Sequence, residues 1–476
     1  MGAHSDASIA DRPGRSAILD RVAAFVRSER GIVTIALGVV ALHIADDNFI
    51  QPEPGTSPGD HLTSGLLPIG VLAAVAVLYP RVRAGLRAAL AMTCGALGIA
   101  FGVPSAYWLL EGEASGDHYT TGVLTIAAGA LLLLAGPVVL WRARRSYGSR
   151  RRTYLRRGLA LGWAAPLALV IFMLVVFPVG FAYVYTHTGR GVVEPDLRVP
   201  YESVTVVTSD SLELSGSYVP SNNRAAVILF PGATRSDEAR MLVRHGYGVL
   251  LLNPRGQGTS EGDTVRWAGD RDLRAGVEYL KTRRDVDAER IGGFGFSVGG
   301  EILIEAAAQS TDFKAIVSEG AGFPAGEADL SGVNRLLAPS ITALGLATAV
   351  FSNQRPPPRI VDRIGEIAPR SVFLIWADPG QGGEDVRQPK YYAAAGQPKQ
   401  IWKVPGAKHT GGLKAQPAEY ERRVVAFFDR ALLGGRQPLR CSTSAPMPAG
   451  RSAFSRGGQQ TTGSQGVERE ALRLAR

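Results

Sequence analysis

Hydrophobic positions fall into two patterns that divide the chain near its middle. Five long apolar runs come first, at Gly31–Ala45, Leu62–Tyr79, Ala88–Leu110, Thr120–Trp141 and Gly158–Tyr185. The last four have about the 18 or more residues that a helix needs to cross a bilayer core of ~30 Å. Beyond about residue 200, short apolar stretches alternate with amphipathic segments, as in a soluble domain. The pattern predicts a leader (1–30), five transmembrane helices (31–185), a linker (186–200) and a globular domain (201–433).

The first apolar run is the shortest and permits two interpretations. It ends in Asp46–Asp47, and it resembles either a first span or the apolar core of a cleaved signal peptide. The long basic leader and the four spans that follow favour the first span.

Charged residues between the runs predict an orientation. The leader, residues 81–87 and the segment Arg142–Arg157 are rich in arginine, whereas residues 46–61 and 111–119 are acidic. Because cytoplasmic loops carry the excess of Lys and Arg, the N-terminus is expected in the cytoplasm and the domain after Tyr185 outside it. The net charge of +10 lies largely in these loops. It therefore indicates a topology signal rather than nucleic-acid binding, although Arg142–Arg157 could also bind nucleic acid or anionic lipid.

A short repeat lies on the predicted outer side. Residues 59–67 match residues 116–124, and each copy carries Gly-Asp-His at the start of a span, which suggests a duplicated helical hairpin. The two Asp-His pairs, with His43 and Asp46–Asp47, could gather a divalent metal. The favoured alternative is that each aspartate caps a helix N-terminus and each histidine lies at the interface, with no metal.

The globular part has the alternation of strands and helices that is typical of a doubly wound, mostly parallel α/β sheet. The predicted strands are Ser203–Val207, Leu212–Tyr218, Ala225–Phe230, Gly248–Asn253, Arg290–Phe296, Ala315–Glu319, Ser371–Trp376 and Gln400–Val404. The predicted helices are Asp237–Arg244, Asp270–Thr282, Val298–Ala308, Lys390–Ala395 and Ala418–Leu433. The chain's two cysteines are too few for a disulfide framework or a zinc cluster.

The sequence Gly-Phe-Ser-Val-Gly-Gly around Ser297 joins a predicted strand to a predicted helix. A G-x-S-x-G in that position forms a tight elbow that lifts the serine hydroxyl above the sheet edge at a helix N-terminus. The alternative is a glycine-rich loop without chemistry. In such an elbow the backbone N–H of Val298 and one from the loop after the third predicted strand, here Ala233, would stabilise an oxyanion.

An activated serine needs a base and an orienting acid, which follow it along the chain in the order acid, then histidine. His409 lies in a loop just after the last predicted strand, and His245 is the only other histidine beyond Pro200. For the acid, Asp378 lies nearest to the end of its strand. A short acid-bearing loop leading into the helix predicted near Pro389 favours Glu384 instead.

From Tyr201 to Leu433 the chain resembles the α/β-hydrolase superfamily, on four segments: residues 208–216, residues 253–262, the Ser297 elbow and the His409 loop. Asn253 stands where these proteins usually have Asp, and Pro231-Gly232 where many have His-Gly. The subgroups it resembles most are the serine-aminopeptidase-like and dienelactone-hydrolase-like members. With its spans and its arginine-rich, lysine-poor usage, it also resembles membrane-anchored actinobacterial hydrolases.

The resemblance implies a membrane-anchored serine hydrolase that needs no cofactor and acts on a small acyl ester or a lipid-like substrate. A peptidase or amidase is the enzymatic alternative, and a non-catalytic ligand-binding module coupled to transport or signalling is the other. The insertion 320–370 holds the apolar stretch Leu336–Phe351, expected as a lid, an element that dips into the outer leaflet, or a packing helix. The tail 434–476 is rich in Ser, Gly, Gln and Arg and is expected to be disordered.

Overall fold

The computed structural model describes residues 13–52, 55–111, 118–143, 149–187, 194–322, 332–380 and 383–434. Two predictions fall outside these residues: the disordered tail after Gly434, and the role of Asp117 in the second repeat. The helices are α1 Pro13–Val26, α2 Glu29–Ala45, α3 Leu62–Leu78, α4 Ala84–Glu111, α5 His118–Arg142, α6 Arg150–Ile171, α7 Phe177–His187, α8 Ser236–Arg244, α9 Gly269–Lys281, α10 Val298–Gln309, α11 Ala338–Ser352, α12 Ile360–Arg363, α13 Glu384–Ala394, α14 Gly412–Ala415 and α15 Pro417–Leu432. The strands are β1 Glu202–Val207, β2 Glu213–Val219, β3 Ala226–Phe230, β4 Gly248–Leu252, β5 Ile291–Phe296, β6 Ala315–Glu319, β7 Ser371–Asp378 and β8 Lys399–Pro405.

Each of the five apolar runs forms a helix long and apolar enough to cross a membrane. The last of them is α6 continued into α7 through a π-helical turn at Phe172–Val176. The first run does not extend back into the leader, because the Ser28 hydroxyl accepts a hydrogen bond from the Gly31 N–H at 3.0 Å and caps α2 there. The length and apolar composition of these helices are those of membrane-spanning helices.

Polar contacts at the two ends of the bundle fix the directions of its helices. At the start of α2, Glu29 accepts hydrogen bonds from Tyr79 (3.1 Å) and Arg87 (3.0 Å), at the end of α3 and the start of α4. At the other end of α2, the Thr121 hydroxyl donates to Asp46 at 2.7 Å and the Tyr183 hydroxyl to Asp47 at 2.6 Å. The predicted cytoplasmic and outer residues therefore lie in two separate polar layers.

Helices α4 and α5 pack through glycines. A Cβ added to Gly95 would lie 2.7 Å from the carbonyl oxygen of Gly129, and one added to Gly129 would lie 2.6 Å from that of Gly95. Small residues of this kind let the backbones of two membrane helices approach closely, which gains van der Waals contact where no hydrophobic effect operates.

The globular domain is built on one eight-stranded sheet with the order β1-β2-β4-β3-β5-β6-β7-β8. Pairs β1–β2 and β2–β4 are antiparallel, and the pairs from β4 through β8 are parallel. Strand β3 is buried at every position because apolar residues cover both of its faces, Ile228 in one core cluster and Leu229 in the other. The predicted α/β class is confirmed, with β5 and its carboxyl end near the middle of the sheet.

One prediction about the helices needs correction. The helix predicted at Lys390–Ala395 begins at Glu384, with Pro389 inside it, where the proline removes one backbone hydrogen bond without ending the helix. Outside the five predicted spans, Arg335–Ser352 of the insertion is a sixth segment with the length and hydropathy to cross a membrane.

Helix α11, in that insertion, packs against the membrane bundle. Its residue Phe351 belongs to the apolar core of the bundle, and the Phe351 ring lies 5.3 Å from the ring of Tyr183 in α7, centroid to centroid. Deeper in the bundle, the Ser340 hydroxyl donates to the carbonyl oxygen of Met173 at 2.6 Å. The insertion therefore joins the sheet domain to the bundle.

Candidate active site

Ser297 occupies a strained turn between β5 and α10. Its backbone has φ 53° and ψ −125°, a conformation that side chains rarely adopt and that costs about 1–3 kcal/mol. Its N–H donates to the carbonyl oxygen of Glu319 at 2.8 Å, which ties the turn to the end of β6. A Cβ at Gly295 would lie 2.5 Å from the carbonyl oxygen of Gly299, and one at Gly299 would collide with that of Phe230. The two glycines of the G-x-S-x-G sequence are therefore required by close backbone contacts.

The His409 imidazole lies between Ser297 and Glu384. Its Nε2 is 2.9 Å from Ser297 Oγ, and its Nδ1 makes a short hydrogen bond with Glu384 Oε1. That hydrogen bond raises the pKa of His409, while partial burial opposes the rise. The three side chains thus form a continuous hydrogen-bonded chain in the order expected of nucleophile, base and acid.

Glu384 is fully buried at the first position of α13. The N–H of Ala377, near the end of β7, donates to its second oxygen, Oε2, at 2.9 Å. The other candidate acid, Asp378, instead forms an ion pair with Lys403 at 2.8 Å, and its side chain is 39% exposed. The structure therefore hydrogen-bonds Glu384, and not Asp378, to His409.

The loops of Ala233 and Val298 lie side by side, as the contact between Gly299 and Phe230 requires. The Gly232 N–H is already used, since it donates to the carbonyl oxygen of Leu252 at 2.8 Å. Within the described part of the chain, neither the Ala233 N–H nor the Val298 N–H has a hydrogen-bond acceptor. These two donors remain available to an oxyanion.

The sequence did not predict the buried polar groups that hold the His409 loop. Glu319 is 3% exposed; it accepts a hydrogen bond from the Gly412 N–H at 2.8 Å and another, shorter one from the Tyr420 hydroxyl. Burial raises the pKa of Glu319. The sequence does place a glutamate at the end of the strand Ala315–Glu319, and this position could have indicated a buried polar role.

Arg235 also holds this loop, because it donates to the carbonyl oxygen and the hydroxyl of Thr410 at 3.4 and 3.2 Å. Its guanidinium lies 4.0 Å from the centroid of the Phe296 ring and 3.7 Å from the carboxylate of Glu238. Burial raises the pKa of Glu238 to about 7, with Arg235 opposing that rise. Nothing in the sequence around Arg235 indicated this contact.

The histidines and aspartates at the end of the bundle where α2 finishes contact one another and the bundle's backbone. His43 lies between the Thr121 hydroxyl (3.2 Å) and the carbonyl oxygen of Phe101 (3.1 Å), and Asp47 lies 3.3 Å from His187. In the described ranges, no group of three or more His, Cys, Asp or Glu residues is arranged to hold a metal ion. The metal hypothesis stays a prediction, since it also needs Asp117 and the side chain of His118, which fall outside those ranges.

In the first Gly-Asp-His copy, the expectation that the aspartate caps a helix N-terminus is wrong. Asp60 does not cap α3: its carboxylate accepts hydrogen bonds from the N–H (2.9 Å) and the hydroxyl (2.7 Å) of Ser57, in the turn before the helix. The residue at the N-cap position of α3 is His61, which makes no side-chain capping bond and instead contacts the Thr56 hydroxyl at 2.8 Å.

Comparisons with known proteins agree with this fold. Residues 221–363 match the family described as serine aminopeptidase, S33 (Hydrolase_4). An uncharacterised protein of Mycobacterium tuberculosis is 36% identical over 114 residues, covering 22% of this chain and 41% of that protein. The polyketide transferase grgF of a Penicillium species is 32% identical over 124 residues, covering 23% of this chain and 41% of the relative. The chain thus spans 41% of the length of these relatives.

Two solved structures extend the comparison. The α/β hydrolase GrgF from Penicillium is 20% identical with a TM-score of 0.40, over 49% of this chain and 100% of that one. The Pyrococcus furiosus esterase Pf2001 is 21% identical with a TM-score of 0.40, over 51% of this chain and 99% of that one. The sheet order, the serine elbow and the family match over residues 221–363 agree with an α/β-hydrolase fold.

Proposed function

We propose that this protein is a membrane-bound serine hydrolase that cleaves acyl esters through an acyl-enzyme intermediate. One observation carries the proposal: the hydrogen-bonded chain from Glu384 through His409 to Ser297 ends on a strained elbow at a helix N-terminus. Strain of this kind persists where the surrounding structure imposes it, and such places cluster at active sites.

The reaction consists of two acyl transfers. Ser297 Oγ attacks the ester carbonyl carbon while its proton passes to Nε2 of His409. The tetrahedral intermediate then collapses, the bond to the alcohol oxygen breaks, and the alcohol leaves with the proton from His409. Water attacks the acyl-serine in the same way, giving a carboxylic acid and restoring the Ser297 hydroxyl.

The remaining groups lower the barrier by fixed electrostatics. Glu384 keeps the proton of neutral His409 on Nδ1, so that Nε2 faces Ser297 as a base. The N–H groups of Ala233 and Val298 donate to the oxygen that becomes negative in the tetrahedral intermediate. Each oxyanion donor of this kind is worth a factor of about 10²–10³ in kcat.

The test is labelling with a fluorophosphonate probe, which reacts with an activated serine. Wild-type protein in detergent should label, Ser297→Ala should not, and Ser310→Ala, at the far end of α10, should label like the wild type. A folded wild-type protein that refuses the probe would contradict the proposal and would favour a non-catalytic ligand-binding module.

An aminopeptidase or amidase is the second candidate, because the matching family is described as serine aminopeptidase. The two reactions share the same nucleophile and differ in the leaving group. Comparing p-nitrophenyl butyrate with an aminoacyl p-nitroanilide separates them. A kcat/KM higher for the anilide than for the ester would support the peptidase.

We further propose that the hydrolase domain lies outside the cytoplasm. The domain contacts the end of the bundle where Asp46 and Asp47 lie, and the arginine-rich ends of α3 and α5 lie at the opposite end. Glu278→Cys in a background of Cys94→Ala and Cys441→Ser should react with a membrane-impermeant maleimide in intact cells. Arg83→Cys in the same background should react only after lysis, and the reverse result would contradict this orientation.

A further inference from the structure

The loops on both sides of Ser297 contact the outer end of the membrane bundle. In the loop after β4, the Thr264 hydroxyl donates hydrogen bonds to the carbonyl oxygens of Tyr185 (2.8 Å) and Thr186 (2.9 Å), in the last turn of α7. In the insertion after β6, the Asn353 side-chain amide donates a hydrogen bond at 3.0 Å to the carbonyl oxygen of Asp60, just before α3. In the sheet, β6 is next to β5 and β4 is two strands away on the other side, about 10 Å from β5, so the two segments leave the sheet on either side of the strand that carries Ser297.

These contacts all come from the carboxyl ends of parallel strands, the edge at which Ser297 also lies. Ligands of open α/β sheets bind at that edge. The two loops are joined to each other as well, since Gln354 of the insertion donates to Asp263 at 3.0 Å and accepts from the Ala268 N–H at 2.9 Å. The catalytic edge of the sheet therefore faces the bilayer rather than the aqueous phase.

Helix α11 continues from this edge into the depth of the membrane. It runs parallel to α7, with Ser340 beside Met173 in the depth of the bundle and Phe351 beside Tyr183 at the end nearest this edge. At 1.5 Å per residue, Ser340 lies about 16 Å below Phe351 along the helix, roughly half of a ~30 Å hydrocarbon core. The insertion nevertheless leaves and rejoins the sheet domain on one side, because Gly322 donates to Glu301 at 2.9 Å and Gln354 binds Asp263. It is a re-entrant element and adds no crossing.

The two faces of α11 differ in what they contact. Leu344, Ala347 and Phe351 pack into the apolar core of the bundle. Leu346, on the opposite face, is 65% exposed, and Leu336, just before the helix, is 80% exposed. At this depth the exposed leucines lie against acyl chains. Lipid therefore contacts the face of α11 that extends toward the catalytic edge.

We propose that the substrate is an acyl ester carried by an amphiphile of the outer leaflet, which reaches Ser297 laterally along α11. This inference rests on the proposed serine-hydrolase function. The acyl chain stays against the exposed face of α11 while the ester group, at the boundary between head groups and hydrocarbon, enters at the catalytic edge. Acyl transfer to Ser297 releases the head-group alcohol with the proton from His409, and water then releases the fatty acid into the same leaflet.

The experiment compares two esters with the same leaving group in full-length protein reconstituted into phosphatidylcholine vesicles. p-Nitrophenyl butyrate arrives from water, and p-nitrophenyl oleate resides in the bilayer. Leu346→Glu places a charge at membrane depth, so hydrolysis of the oleate ester should fall at least about tenfold while hydrolysis of the butyrate stays within about twofold of wild type. Leu346→Ala, which adds no charge, and Tyr201→Glu, which precedes β1 at the opposite edge of the sheet, should leave both rates unchanged.

The outcomes separate the inference from the function on which it rests. If wild type cleaves the butyrate but not the vesicle-borne oleate, or if Leu346→Glu lowers both rates equally or neither, lateral entry along α11 is wrong while the hydrolase proposal stands. If wild type cleaves neither ester and fails to label with fluorophosphonate, the hydrolase proposal itself is wrong. Equal fluorophosphonate labelling of wild type and Leu346→Glu shows that the variant is folded.

Discussion

Replacing Glu384 by glutamine tests the catalytic site most directly, because the surroundings dictate how the amide must point. The Ala377 N–H donates to Oε2 of Glu384 at 2.9 Å, so the amide oxygen of the glutamine has to take that position. The amide NH₂ then faces Nδ1 of His409, which must become an acceptor with its proton moved to Nε2. In that tautomer the imidazole cannot accept the proton of Ser297.

The expected loss is large. An acid-to-amide change that leaves the geometry intact but stabilises the wrong histidine tautomer lowers kcat by about 10⁴, which corresponds to about 5 kcal/mol in the activation barrier. Asp378→Asn is the matched control, since Asp378 pairs with Lys403 and is 39% exposed. A surface pair of that kind contributes about 0–1 kcal/mol to stability and nothing to the reaction.

The assay is kcat and kcat/KM on p-nitrophenyl butyrate, with thermal unfolding to show that both variants are folded. Glu384→Gln should keep the KM of the wild type and lose kcat, because it removes an interaction of the transition state. If Glu384→Gln retains kcat within about tenfold of wild type, or if Asp378→Asn loses as much, the assignment of the acid is wrong.

Three further predictions follow from the same structure. The kcat/KM should rise with pH through a midpoint above 6.5, because the hydrogen bond that His409 donates to the Glu384 carboxylate raises the pKa of His409, and only the neutral imidazole is a base; a pH–rate profile with its midpoint below 6.5 contradicts this. Gly299→Ala should lower the unfolding temperature through a collision worth about 1–3 kcal/mol or more, whereas Gly345→Ala, with open space at its Cβ, should not. Gly129→Ala should destabilise the α4–α5 pair, seen as a lower unfolding temperature in detergent, and Gly70→Ala, with nothing within 4 Å, should match the wild type.

The sequence predicted the elements that depend on local pattern. The eight strands lie within two residues of their predicted ends. For the central parallel strands this follows from burial on both faces, which gives continuous apolar runs. The serine elbow and the histidine loop also follow from short motifs at strand ends. Glu384 was chosen from its distance to a helix that was expected to begin near Pro389, whereas the glutamate is itself the first residue of that helix.

Features that depend on contacts between distant segments were not predictable in this way. The apolar stretch Leu336–Phe351 is equally compatible with a lid, a packing helix or a membrane element, and only its partner in space decides among them. The links from Arg235 to Thr410 and from Glu319 to Gly412 span 175 and 93 residues of sequence. A single sequence carries no signal for pairs that far apart unless a known motif names them.

The re-entrant position proposed for α11 would also give a physical reason for a bundle larger than an anchor requires. One helix suffices to hold a domain at a membrane, but a re-entrant helix that stops near the midplane needs neighbours for the polar groups at its inner end. The Ser340 hydroxyl donates a hydrogen bond to the carbonyl oxygen of Met173, in the π-helical turn that interrupts the last span. At the other end of α11, Phe351 packs against the rings of Tyr183 and Phe101. The spans, the insertion and the catalytic edge are therefore parts of one packed unit, and the sheet domain without the bundle would expose the buried face of α11 to water.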